Sequence, residues 1–63
     1  MPIIQVTLLK GRSIEAKRKY VAELTKLTSD CLDAPLETVR VFLYEMPHEN
    51  AAVAGILAAD KKK

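Results

Sequence analysis

Three residues have types and spacing that could do chemistry together: Pro2, Arg12 and Arg40. A proline nitrogen inside a chain is an amide and takes no proton near neutrality. If an aminopeptidase removes Met1, which the small Pro2 side chain permits, that nitrogen becomes a secondary amine and a candidate acid–base group. α-Amino groups titrate near ~7.7–8.0, and burial or neighbouring cations lower that value by disfavouring the protonated form. A ring amine starts higher, so base strength at neutral pH requires such lowering. Arginines nearby would supply part of it by like-charge repulsion. Their guanidinium forks also stay charged and bind carboxylates through paired hydrogen bonds. The set suits proton transfer on a small anion.

The elements that must hold these residues are legible in the pattern. Ile3 to Leu9 is rich in β-branched residues and stops at Lys10-Gly11, as a largely buried strand does. Ser13 offers a helix N-cap, and the period then becomes helical from Ile14 to Leu32. Tyr20, Leu24, Leu27 and Cys31 form one apolar stripe, widened by Val21, Thr28 and Leu32, with Lys17, Lys19, Glu23, Lys26 and Asp30 on other faces. Pro35 disfavours helical geometry at Ala34 and ends the helix. Val39 to Met46 reads as a second strand, Pro47 to Asn50 as a turn, and Ala51 to Ala58 as a short hairpin around Gly55. Strand, long helix and strand make a βαβ unit of the α+β class, whose two strands run parallel. In that arrangement Pro2 and Arg40 share one edge of the sheet. Arg12 lies roughly 25–30 Å along the chain from Pro2 at ~3.3 Å per strand residue, too far to meet it within one subunit. A site using both has to be built between subunits.

Composition points the same way. The chain is 63 residues long and 49% hydrophobic. It reads as a single domain over 1–63, yet a domain this short hides only about 60% of the surface of its unfolded chain. One cysteine, Cys31, excludes an internal disulfide, and no Cys/His cluster has metal-ligand spacing, so association of subunits is the expected remedy. Net charge is +2, much of it in the tail Lys61-Lys62-Lys63, read as a solvated end, so no nucleic-acid footprint is expected. No stretch approaches the ~20 apolar residues of a membrane span. The lone cysteine and the lack of a signal peptide favour a reducing, cytoplasmic setting. Cys31 is expected to be a packed thiol and His48 a solvated turn residue, while Glu45 could support a site residue from behind but sits where a strand-end carboxylate is commonly exposed.

Met1-Pro2-Ile3-Ile4-Gln5-Val6, Leu9-Lys10-Gly11-Arg12-Ser13, Leu32-Asp33-Ala34-Pro35-Leu36, Val39-Arg40-Val41 and Glu45-Met46-Pro47 together resemble the 4-oxalocrotonate tautomerase family of small β-α-β enzymes. The likeness runs over nearly the whole chain. It implies a homohexamer arranged as a trimer of dimers, with no cofactor and no metal. It also implies a cytoplasmic isomerase of aromatic degradation acting on 2-hydroxydienoates or related 2-keto acids. Processed Pro2 would be general base and acid. Arg12 and Arg40, from neighbouring subunits, would bind the substrate carboxylate and polarise the 2-keto or 2-hydroxy oxygen.

One position departs from the family pattern. An aromatic residue that helps desolvate the proline is usual at the position of Ala51, where Asn50-Ala51-Ala52-Val53-Ala54-Gly55 offers only small side chains. A smaller lowering of the amine's pKa follows, with Phe42 or Tyr44 as alternative apolar surfaces. Two other readings stay open. Related enzymes dehalogenate or hydrate unsaturated acids, but the water-activating carboxylate such chemistry needs would fall at Val53. A non-catalytic oligomeric subunit that binds small anions would also tolerate Ala51.

Overall fold

Parallel pairing of two seven-residue strands organises the chain. The computed structural model describes residues 2–61. Met1 and the Lys62-Lys63 end of the tail, with the expectations attached to them, lie outside the described residues. Strand β1 (Ile3–Leu9) leads through a short connection to helix α1 (Ile14–Leu32), and β2 (Arg40–Met46) returns beside β1. The register pairs Ile3 with Arg40 and runs unbroken to Leu9 with Met46. Strand β3 (Ala52–Val53) and strand β4 (Ile56–Leu57) then form a small antiparallel hairpin. The β-α-β unit and the terminal hairpin are as the sequence predicts.

Helix α1 starts at the expected cap. The Ser13 hydroxyl accepts the Ala16 N–H at 3.1 Å, satisfying one of the free donors of the first turn. Its end differs from expectation. Asp33 adopts left-handed geometry (φ 54°, ψ 47°), and the Ala34 N–H donates to the Ser29 carbonyl at 3.1 Å. The helix is therefore closed by a left-handed cap two residues before Pro35 could act. A single 3-10 turn, Leu36–Thr38, then fills the approach to β2, which begins at Arg40, one residue later than the pattern suggested.

The helix covers one face of the strand pair only. Ile4, Val6 and Leu8 on β1, with Val41 and Leu43 opposite them, are half-buried, while Ile3, Gln5, Thr7, Phe42 and Tyr44 on the other face are exposed. The expectation of a largely buried β1 is thus not met in the single chain, where alternate residues are half-buried and the others exposed, because only one face of the two-stranded sheet is covered. On the helix, the half-buried positions are Lys17, Val21, Leu24, Thr25, Thr28 and Ser29. Tyr20, Leu27, Cys31 and Leu32 lie on its exposed flank, with Leu27 at 58% and Leu32 at 64%. Two strands at ~4.8 Å spacing are narrower than a helix of about 10 Å diameter, so they cannot cover the whole apolar stripe. The same narrowness leaves Cys31 an exposed thiol rather than the packed one expected. No described residue is fully buried.

Candidate functional site

Pro2 and Arg40 are brought together by the backbone. The Arg40 N–H donates to the Pro2 carbonyl at 3.0 Å, extending the parallel ladder one step beyond the paired strands. Arg40 enters this position from the Leu36–Thr38 turn, whose Thr38 N–H and side-chain hydroxyl both donate to the Pro35 carbonyl, at 3.0 and 2.7 Å. Its guanidinium reaches back to the Thr38 carbonyl at 3.4 Å, a long contact. Pro2 itself is half-buried. The ladder uses only its carbonyl.

Arg12 is held at the opposite end of the strand pair. It follows Gly11, whose φ of +134° is open to glycine and strained for other residues, so the chain can turn sharply from β1 into the helix cap. β1 spans roughly 20 Å at ~3.3 Å per residue. The structure therefore leaves Arg12 a strand's length from the Pro2 of its own chain, as the sequence implied. There Arg12 lines a cavity of about 360 Å³ with Leu8, Ala16, Lys17 and Tyr20.

Sequence reasoning weighed Glu45 as a supporting residue but missed its partner. Lys17 and Glu45, expected on solvated surfaces, form an ion pair at 3.0 Å between the helix start and β2. The signal was present: Lys17 continues the helix's sheet-facing positions Val21 and Leu24, and Glu45 continues the alternation Val41, Leu43 on β2. Two apolar stripes ending in opposite charges on facing elements can meet. At 23% and 32% side-chain exposure such a pair is worth about 0–1 kcal/mol.

Ala51 borders a second cavity, of about 420 Å³, between Leu9 at the end of β1 and the hairpin residues Val53 and Ile56. Its methyl group leaves open the space that a larger side chain would take. Val53 is 80% exposed and carries no carboxylate for activating water. Phe42 (45% exposed) and Tyr44 (50%) project from the uncovered sheet face. Among the described residues no group of three or more His, Cys, Asp or Glu side chains could hold a metal ion. No described helix is long and apolar enough to cross a membrane.

Comparison with known proteins adds a consistent set of likenesses. Residues 2–61 match the family described as tautomerase enzyme. The 2-hydroxymuconate tautomerase of Pseudomonas putida is 44% identical over 55 residues, covering 87% of each chain. A crystal structure of a 4-oxalocrotonate tautomerase homologue superposes with a TM-score of 0.94 at 44% identity, over 100% of both chains. A heterohexameric 4-oxalocrotonate tautomerase from Chloroflexus aurantiacus superposes at 0.93 with 32% identity, over 98% of this chain and 100% of its own.

Proposed function

The chain belongs to the tautomerase family, and from that premise we propose that Pro2, freed by removal of Met1, is the general base and acid of a tautomerase acting on 2-hydroxydienoates such as 2-hydroxymuconate. The observation that carries this reading is the Arg40-to-Pro2 backbone hydrogen bond, which sets a cation-bearing residue beside the amino-terminal ring. In the reaction the Pro2 nitrogen takes the enol hydroxyl proton. The O–H electron pair closes the carbonyl, the diene electrons shift, and the prolinium returns a proton to carbon. Atoms and charge balance with no outside reactant, and no cofactor enters the scheme. Arg40 stabilises charge developing on the reacting oxygen, and Arg12 binds a carboxylate at the far end of the substrate.

Because Arg12 stands a strand's length from its own Pro2, we assign it to a site on a neighbouring subunit. The uncovered sheet face and helix flank supply the apolar surface for assembly, and a homohexamer built as a trimer of dimers is the arrangement we favour. The hexamer of the Chloroflexus protein, made of unlike chains, is a precedent for six-subunit assembly. A reducing cytoplasm suits the free, exposed Cys31, and aromatic degradation suits the substrate.

Intact mass and a pH–rate profile test the reading. The mass should lack one methionine. Activity should rise with pH as Pro2 loses its proton, with the limb tracking an NMR titration of labelled Pro2 that lies below an unhindered proline amine, since burial and guanidinium charge disfavour the protonated ring. Pro2→Ala should lower kcat by ~10²–10⁴-fold with the fold retained. A retained Met1, or an ascending limb that does not track the Pro2 titration, refutes the general-base role and leaves a small-anion-binding subunit.

A further inference from the structure

Arg12 lies on the connection between β1 and α1, and backbone bonds hold both ends of that connection. On the strand side the Lys10 N–H donates to the Met46 carbonyl at 2.9 Å. On the helix side the Lys17 N–H donates to the Ser13 carbonyl at 3.1 Å, and the Ser13 hydroxyl accepts from Ala16. Gly11 between them has φ +134° and open space where a Cβ would stand, so no side chain of its own braces the turn and its backbone has the freedom of glycine. The Lys17–Glu45 ion pair crosses that freedom. Its Nζ comes from the first turn of α1 and its Oε2 from β2, at 3.0 Å. Lys17 also lines the cavity that Arg12 lines, so the ion pair reaches the edge of that cavity through its lysine.

We propose that the Lys17–Glu45 ion pair positions Arg12 for the remote carboxylate of the substrate. It fixes the helix start against β2, and Glu45 neutralises the Lys17 ammonium so that it does not draw the carboxylate away from the guanidinium. The inference rests on the reading of Arg12 as a carboxylate-binding residue. Glu45 touches no substrate; it acts through Lys17 and the Arg12 connection.

The experiment compares two enol substrates, a 2-hydroxydienoate bearing a second carboxylate and the same dienoate without it. Arg12→Ala should raise KM for the diacid. Glu45→Gln and Lys17→Met should each raise it about fivefold or more, with kcat changed less than about twofold and monoacid kinetics unmoved. In an Arg12→Ala background Glu45→Gln should add nothing, because it has lost the group it acts through. The charge reversal Lys17→Glu with Glu45→Lys should restore part of the diacid KM. Where the single variants fail to assemble, Glu45→Asp, which keeps the charge and shortens its reach, carries the test: a raised diacid KM supports the role and an unchanged one overturns it. Equal losses on both substrates, or an additive effect in the Arg12→Ala background, mark the pair as structural and overturn the proposal. Arg12→Ala raising KM while Glu45→Gln leaves it unchanged refutes the ion pair's role alone. An unchanged diacid KM in Arg12→Ala removes the carboxylate role of Arg12 and this inference with it.

Discussion

A methyl group at Ala51 is the smallest change with the largest expected effect on the proposed chemistry. It borders an open groove of about 420 Å³ beside Leu9, so there is room for a ring. Ala51 stands at the Leu9 end of β1, a strand's length from its own Pro2. In the proposed assembly Ala51→Phe should therefore dry the amine of a neighbouring subunit, shift the ascending limb of the pH–rate profile to lower pH, and raise turnover near neutrality. Each pKa unit of lowering corresponds to ~1.4 kcal/mol of extra penalty on the protonated ring. A profile that stays in place would show that the wall is supplied from elsewhere. At this scale the sequence was informative about residue type and poor about partners. Pro2, Arg12 and Arg40 stand out because the secondary amine that Met1 removal would expose and two guanidiniums have few other joint uses. Lys17 and Glu45, 28 positions apart, become a pair only when the helix is laid on the sheet. Local spacing offered Lys17 no such partner, and a lone lysine on a helix reads as solvated.

The elements were legible because each carries its own start and stop chemistry. Ser13 caps α1 as its side chain dictates, and the β-branched runs become the two parallel strands. What sequence periodicity could not show is which part of a broad apolar stripe a narrow sheet would cover. Val21 and Leu24 turn inward, while Leu27 and Cys31 stay on the flank. The left-handed cap at Asp33 was hidden for a related reason: Pro35 is the louder breaker, though the chain has already turned before it. The hairpin tip provides the test at this scale. Ala54 and Gly55 both have positive φ, 54° and 81°, the geometry of a two-residue turn that favours Asn-Gly. A left-handed alanine costs ~1–2 kcal/mol relative to the right-handed form, and asparagine tolerates the conformation better. Ala54→Asn should therefore raise stability by about 0.5–1 kcal/mol, read as a higher denaturation midpoint with an unchanged slope. A lower midpoint would mean that this turn geometry is not what limits the hairpin.

The single chain has the dimensions of a component. Its principal extents are 42 × 23 × 14 Å and its radius of gyration is 14.8 Å, against about 11 Å for a compact domain of this length. Its accessible surface is 5252 Å², against about 4000 Å² for a folded monomer of equal mass. Half-buried strands, an exposed Leu27 and a half-exposed Phe42 are the surfaces that the proposed assembly would cover. The expected outcome is complementation. At diacid concentrations well below the raised KM of Arg12→Ala, refolding Pro2→Ala with Arg12→Ala chains in equal amounts should regenerate wild-type-like sites at about a quarter of positions, because random mixing places an intact Pro2 beside an intact Arg12 from another chain that often. No recovery in assemblies shown by mass to be mixed would place both groups on one chain. The ladder bond at the amino terminus carries one more consequence. Arg40 anchors the Pro2 carbonyl and asks nothing of the Pro2 nitrogen, so architecture and reactivity separate at a single atom. A tag fused ahead of Pro2 would convert the amine to an amide without touching the strand pairing. The product would be a silent tracer subunit, affinity-purifiable and able to report on exchange within the oligomer without adding a working base to it.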